Sequence, residues 1–435
     1  MSENVTTNTQ AHEAPTQTQS EVIAPIKWKM PITYALVALL NLYFLISASG
    51  IAKFSFTRSK ADRIQIPIWE VSAKAVAAIA LVVVLLVCVW AVMRAVKRRP
   101  VGVVPAVLVA LVTVFAMFAW FGGGSKGTVT VTAVLASALA LSTPLIFGSL
   151  SGVVSEHVGI VNIAIEGQLL IGAFAGVLVA SIVKSVWAGI IVAPLAGALI
   201  GALLAFFCVN YNVDNIIVGV VLNVFALGLT TFFFSSTMTE NPQLNDSKYH
   251  LSNIKIPLLS DIPIIGPVLF NQTALTYIMY VVLVVLTIYL YRSRWGLRMR
   301  ACGEHPHAAD TVGIDVRKTR WHNVLLSGAL AGLGGAYFTI GASVGHSFNE
   351  NMSAGNGYIA LAAMILGKWH PLGALGASLM FGFAKAVAIL VPSLSASAPS
   401  QIINMIPYIV TILAVAGFVG ISRPPASENI PYTKG

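Results

Sequence analysis

The chain has 435 residues, 57% of them hydrophobic and only 10% charged, with a mean hydropathy of +0.83. A soluble domain averages about 25% charged residues, so a soluble fold is excluded and an all-α polytopic membrane protein is indicated. The net charge of +10 then belongs with the Lys and Arg excess of cytoplasmic loops, and no nucleic acid partner is needed to explain it.

Residues 1–26, rich in Thr, Gln, Glu and Ala, lack the large apolar side chains a core needs and read as a disordered cytoplasmic tail. They lack the n-region, h-region and cleavage site of a signal peptide. Three apolar runs follow: 31–52, 75–93 and 101–121. With their loops they form an N-terminal unit of extra helices over 27–127. A fourth span covers 128–150, a fifth 159–182, a sixth 186–208, a seventh ends near Phe234 and an eighth lies between Thr273 and Tyr291. After the basic segment 292–320 come a ninth span, about 323–343, a short apolar segment 355–367, and the runs 372–390 and 402–421. That makes roughly 12 transmembrane helices, with a core over 128–422 and a polar tail over 423–435. The odd number of cysteines, Cys88, Cys208 and Cys302, argues against a disulfide framework, so all three read as free thiols.

Arg292–Arg320 carries seven Lys or Arg residues. Placing it in the cytoplasm puts 94–99, Lys27, Lys29, Arg423 and both termini inside as well. The loops 237–272, 344–354 and 393–401 then lie outside. One loop dissents: 53–74 holds five basic residues on the outer side. Either the rule is broken there, or the first helices are miscounted.

The organising stretch is Ser151–Gly176, a polar knot at Ser155, Glu156 and His157 leading into an apolar run with Asn162 and Glu166. On a continuous helix Glu166 lies roughly 15 Å deeper than Glu156, near the middle of a core about 30 Å thick. A carboxylate there costs at least about 2.5 kcal/mol on insertion scales, which marks it as a candidate site. Asn162 and Glu166, four residues apart, would share a helical face; hydrogen bonding to neighbouring helices is the plainer alternative. Ile163–Leu170 aligns without gaps on Ile359–Leu366, and the two segments enter the membrane from opposite sides. Such a pair is the sequence mark of an inverted repeat around a central site, and it would set Asn162 opposite Tyr358. Gly172 and Gly176, and Gly328 and Gly332, have the spacing of close helix packing. Lys385, about five residues from the outer end of its span, would snorkel.

The loop between the eighth and ninth spans is too polar to cross and too ordered for a linker. Pro306 suits a first helical turn, His307–Val312 follow, and Gly313 stops the helix. His305 and His307 read as interface or surface residues rather than metal ligands. No phosphate-binding G-x-x-x-x-G-K-[ST] loop is present, nor any metal cluster or nucleophile–base arrangement, so the chain is expected to be neither an ATPase nor any other enzyme.

Three ordered blocks carry a resemblance: Gly152–Gly167 (GVVSEHVGIVNIAIEG), Arg300–Ile314 (RACGEHPHAADTVGI) and Gly357–Gly367 (GYIALAAMILG). Over roughly 128–420 the chain resembles the permeases of ABC importers that serve nucleosides and simple sugars. The resemblance implies an inverted-repeat importer-permease core and a bacterial cytoplasmic membrane location. It further implies a separate ATP-binding cassette subunit that holds ATP and Mg, an extracellular substrate-binding protein, and a second permease, usually a different chain. The short loop helix would sit in a groove of the ATPase, with Arg300, Gly303, Glu304, His305, Pro306, Asp310 and Gly313 as coupling residues. Asn162, Glu166, Asn356 and Tyr358 would line the substrate path, with Asn223 the weaker candidate. The first block leans towards nucleosides, with ribose or furanose sugars as the alternative. A secondary transporter with Glu166 carrying a coupling ion explains the carboxylate but not the docking-type loop. A channel lacks any charged ring or filter-like motif.

Overall fold

The computed structural model describes residues 28–57, 64–99, 101–123, 127–342, 346–394 and 423–434. Among them, ten helices are long and apolar enough to cross a membrane, and the chain is an all-α polytopic membrane protein. The expected N-terminal tail (1–26), the run 402–421 and the loop 393–401 lie outside the described residues, apart from 393 and 394.

Three helices, α1 (Lys29–Ser47), α2 (Ala73–Val96) and α3 (Val103–Gly123), form the N-terminal unit. Between α1 and α2 a hairpin of β1 (Ile51–Ser55) and β2 (Trp69–Ser72) pairs antiparallel, and β1 also pairs in parallel with β3 (Val129–Thr130). That short sheet joins the unit to the first core helix, α4 (Val131–Glu156). The dissenting basic loop is thereby located. Its flanks at Phe56, Thr57, Ile64 and Ile66 share a cleft with Lys255, Ser260–Pro267 and Asn271 of the 237–272 loop. Each of the three N-terminal helices is long and apolar enough to cross a membrane.

The core continues with α5 (Ile165–Val183), α6 (Val186–Ala205) and α7 (Asn215–Phe233). Short β4 (Asn253–Lys255), α8 (Ile265–Leu269) and β5 (Asn271–Thr273) shape the loop before α9 (Ala274–Arg292). Two helices of the basic segment follow, α10 (Arg294–Glu304) and α11 (Pro306–Thr311), then α12 (Val316–Ala336), α13 (Asn356–Leu366) and α14 (Pro371–Leu394). Asp214 caps α7, its Oδ1 accepting the Ile216 and Ile217 N–H groups, and the Ser293 hydroxyl caps α10 by accepting from Gly296 N–H. Pro306 is the first residue of α11, and Gly313, at φ +83°, closes it, as Pro and Gly at those positions dictate.

Glycine sets how closely the core helices meet. A Cβ on Gly172 would lie 2.3 Å from the Gly332 carbonyl, and one on Gly197 2.2 Å from that of Gly328. Thus α5 and α6 touch α12 backbone to backbone, the contact that small residues permit between membrane helices. The N-terminal unit joins α14 through the Phe118–Phe383 ring pair, 5.9 Å between centroids.

Two expectations need correction. The fifth helix starts at Ile165, not Gly159, because Gly159 turns the chain at φ +85° and 160–162 run on without helical bonds. Asn162 and Glu166 therefore do not share a helical face. The sequence left open how the polar tail after Arg423 is held, and the structure bonds it to α10, α12, the start of α7 and Gly159.

Candidate functional site

The non-helical connector 157–164 delivers Glu166 to the first turn of α5, where it is 8% exposed. Its carboxylate also receives the start of α13. Oε1 accepts the Gly355 N–H at 2.7 Å and Oε2 the Gly357 N–H at 2.6 Å. Two helix N-termini converge on one negative charge, and each favours it by its dipole and unpaired N–H groups. A hydrogen bond to a charged group is worth about 1.5–3 kcal/mol, so this pair offsets an insertion cost of about 2.5 kcal/mol. Gly355 sits at φ +79°, and a Cβ on Gly357 would lie 2.4 Å from Glu166 N. The two helix starts meet so tightly that position 357 admits no side chain.

Their directions are opposed. At its C-terminal end α13 gives way to Trp369, whose indole N–H donates to Glu156 Oε2 at the end of α4. So α13 runs from the level of Glu166 to that of Glu156, while α5 runs away from it. With 11 residues α13 is about 16 Å long, half of a hydrocarbon core of about 30 Å. Glu166 therefore lies about half the thickness of a hydrocarbon core from the level of Glu156. The chain reaches α13 through 346–355, anchored where Asn245 Oδ1 accepts from Phe348 N–H and Asn245 Nδ2 donates to Phe348 O. The two helices start at one point and run in opposite directions, a full-length α5 against an 11-residue α13, but the eight-residue alignment misses their register. Aligned on it, α13 would begin opposite Ile160, five residues before α5 does.

Asn223 on α7 locks the junction. Its Oδ1 accepts from Gly167 N–H at 2.8 Å, and its Nδ2 donates to Ile163 O at 2.9 Å and to the Tyr358 hydroxyl at 3.1 Å. A cavity of about 220 Å³ opens here, lined among others by Glu166, Asn223, Asn351, Ser353 and Tyr358, and Tyr358 is 49% exposed. One carboxylate, two amides, a hydroxyl and a phenol face one space. Such a set can hydrogen-bond hydroxyls and amino groups, and the ring can stack on a planar apolar group.

Of the residues expected on the path, Glu166, Asn223 and Tyr358 come together; the other two do not join them. Asn162 is fully buried and donates to Gln168 Oε1 at 3.0 Å and Ser327 Oγ at 2.8 Å. It ties the connector to α5 and α12, away from the cavity and from Tyr358. Asn356 turns to the other side of α13, where the Lys385 ammonium donates to its Oδ1. Lys385 is half-buried, so the snorkelling expected of it is corrected: its amine reaches the α13 start. Both line a second cavity of about 830 Å³ with mostly apolar walls from α4, α14 and the residues just past α12, Tyr337, Phe338 and Ala342. Asn351, Ser353 and Gly355 escape sequence reasoning, because nothing local in a polar loop shows that it folds back to Glu166.

The basic segment forms a second cluster. A Cβ on Gly303 would meet the His157 carbonyl at 2.3 Å, so the end of α10 rests on the start of the connector. Burial pushes the His157 imidazole down, and its Nδ1 donates to Val153 O at 2.8 Å. Arg300 lies over the Tyr291 ring, 5.3 Å from its centroid, and Tyr291 stacks on His370. Glu304 accepts from Ala426 N–H. His305 is exposed, Pro306 is buried, Asp310 is half-buried, and Asp310 and Gly313 border a surface groove with Arg317 and Lys318. Trp295, Leu297 and Val312 are exposed on these short helices outside the spans.

Residues 134–415 match the family model described as branched-chain amino acid transport system / permease component. The nucleoside ABC transporter permease protein NupC of Lactococcus lactis subsp. cremoris is 40% identical over 315 residues, 70% of this chain and 98% of that protein. The guanosine ABC transporter permease protein NupQ of Bacillus subtilis is 38% identical, over 69% of this chain and 97% of that one. A putative glucose ABC transporter permease protein, TsgC13 of Haloferax volcanii, is 33% identical over 58% of this chain and 76% of its own length. No solved structure gives a significant match.

Proposed function

The chain belongs to the permease-component family of branched-chain amino acid transport systems, and from that premise we propose that it carries nucleosides through the membrane of an ATP-driven importer. It is a multi-pass ABC permease. The observation that carries the substrate is the 40% identity to a nucleoside permease along 98% of that protein. The cavity at Glu166 supports it: hydroxyl-binding groups stand beside one exposed aromatic ring, and among the described residues no Lys or Arg lines it. A neutral sugar joined to a flat base suits that set better than an anion would.

The basic α10–α11 face is cytoplasmic, which puts both termini inside a bacterial cytoplasmic membrane. Trp295, Leu297 and Val312 then face a separate ATPase, which binds the ATP and Mg. A second permease, a different chain, covers the apolar face of α7 at Ile216, Ile217, Val220 and Val224, beside exposed Tyr358. The cavity so becomes a path between two permeases rather than a niche facing lipid. An extracellular binding protein delivers substrate on the opposite face. Closure of the ATPase moves α10, α10 moves His157 through Gly303, and the connector passes that shift to the Glu166–α13 junction.

The test is uptake of labelled uridine and adenosine by cells with and without this permease, with excess ribose as competitor. Permease-dependent uptake that ribose leaves unchanged supports the proposal. Absent nucleoside uptake, or strong competition by ribose, moves the substrate to a simple sugar, the reading that the glucose permease relative favours. Uptake that survives loss of the ATPase but collapses with an uncoupler would make it a secondary transporter.

A further inference from the structure

The C-terminal segment 423–434 is bonded to four elements: the basic segment, the connector, α7 and α12. To the basic segment it gives Ser427 N–H, donated to Gly303 O at 2.8 Å, and the Ser427 hydroxyl, donated to Glu304 O at 3.0 Å. The Tyr432 ring lies 5.2 Å from that of His307 on α11. To the connector it gives Asn429 N–H, donated to Gly159 O at 3.1 Å. Here the fit is close, since a Cβ on Gly159 would come within 2.9 Å of Ser427 O. To α7 it gives the whole Asn429 side chain: Oδ1 accepts from Asn215 N–H at 3.1 Å, and Nδ2 donates to Asp214 Oδ2 at 3.0 Å. From α12, Arg320 donates to Ile430 O at 3.3 Å.

The two inner attachment points lead to the two supports of the Glu166 junction. Gly159 opens the connector that carries Glu166, seven residues on. Asp214 and Asn215 begin α7, which carries Asn223 eight residues later, about 12 Å along the helix. A polar tail with no part in the cavity thus spans the docking-type loop at one end and both roots of the cavity at the other.

We propose that the segment 423–434 is a strut of the transport cycle, with Asn429 the positioning residue that carries displacement of α10–α11 to the connector and to α7 together. This rests on the ATP-driven reading above. Without the strut, α10 would still push the connector at His157, but α7 would not follow, and Asn223 would part from Glu166 and Tyr358. The site would open unevenly while the motor turned over. Serine and asparagine suit the role, because short side chains with fixed bonds to backbone transmit position and long charged ones do not.

The experiment uses the whole complex, permeases with ATPase and binding protein, reconstituted in proteoliposomes, and reads both uridine uptake and ATP hydrolysis. N429D sets a second carboxylate against Asp214. It is expected to lower uptake per ATP hydrolysed about tenfold, the weight of one hydrogen bond to a charged group, with assembly and basal ATPase unchanged. D214N combined with N429D exchanges amide and carboxylate across the same contact, and is expected to return the ratio to within about twofold. Wild-type coupling in N429D overturns the strut. So does a loss of assembly, or of coupling, that D214N leaves uncorrected, because the tail would then only hold the fold. A wild-type complex with no ATP-dependent uptake of any substrate refutes the importer reading instead. The strut is then judged by hydrogen exchange at Asn215 and Asn429, where N429D must raise exchange and the double variant restore it.

Discussion

The connector 157–164 has two ends, and they are held by opposite means. At one end, Gly159, itself buried, accepts a single neutral N–H from the half-buried Asn429 of the tail. At the deep end, Glu166 is gripped by two N–H groups of a helix from the other half of the core, in a site 8% exposed. Losing the single neutral bond at the first costs about 0.5–1.5 kcal/mol. At the second nothing replaces a lost bond, and the stranded N–H groups bear the full cost of desolvation. A moving part is therefore attached where bonds exchange cheaply, and its far end is fixed where they do not. In the proposed importer the substrate groups would sit at the fixed end, where geometry is kept, and the motor would act on the other.

The sharpest way to break that contrast is Glu166→Ala. Two buried N–H groups lose their acceptor at about 1–3 kcal/mol each, so the purified protein should lose several kcal/mol of stability, and uptake should vanish. An unchanged unfolding temperature in detergent would show that the carboxylate is not a cap. Glu166→Gln keeps one acceptor and points its NH2 at the other N–H, so about half that loss is expected.

Asn223→Ala comes next. It strands Gly167 N–H and Ile163 O and frees the Tyr358 hydroxyl, for an expected loss of about 2 kcal/mol by the same reasoning. Uridine uptake should fall more than stability does, and equal falls would reduce Asn223 to a packing residue. Trp369→Phe removes the indole donor to Glu156 where α13 ends, expected to cost about 1 kcal/mol or somewhat more in thermal unfolding, with uptake largely kept. Loss of uptake as complete as that of Glu166→Ala would erase the difference between the two ends of α13.

The smallest effect is in pH. Burial raises the Glu428 carboxyl above its usual range, partly offset by its hydrogen bond with Glu156. A raised carboxyl favours the docked tail while protonated, so this contribution is complete below the ordinary carboxylate range and is lost as pH rises through the raised value. Asp214 runs the other way. The Asn429 amide, then the Ile217 N–H, lowers it, so its contribution holds above that range and is lost as pH falls through the lowered value. The protection factors against hydrogen exchange at 426–430, corrected for the intrinsic pH dependence, should therefore fall from mildly acidic to neutral pH, by less than about tenfold, the equivalent of one pKa unit, and Glu428→Gln should flatten that rise in opening. A rise that Glu428→Gln leaves intact would place the titrating group elsewhere.

Much of this molecule is legible in a local window of sequence. Hydropathy located the ten described spans because a membrane imposes length and composition on each helix separately. Pro306 and Gly313 marked α11, since a fixed φ and a positive φ are properties of single residues. Glu166 stood out because a charge in an apolar run is costly wherever its partners come from. What the window could not contain were those partners. Gly355 and Gly357 lie 189 and 191 residues away, in a loop whose return to Glu166 no periodicity announces. The start of α5 at Ile165, the turning of Asn162 away from Glu166, the hold of Asn356 on Lys385 and the docking of the tail were all decided by packing between distant segments. The bilayer acts on each segment alone and so writes itself into the sequence. Hydrogen-bond satisfaction between segments is a property of pairs, and only the assembled fold assigns it.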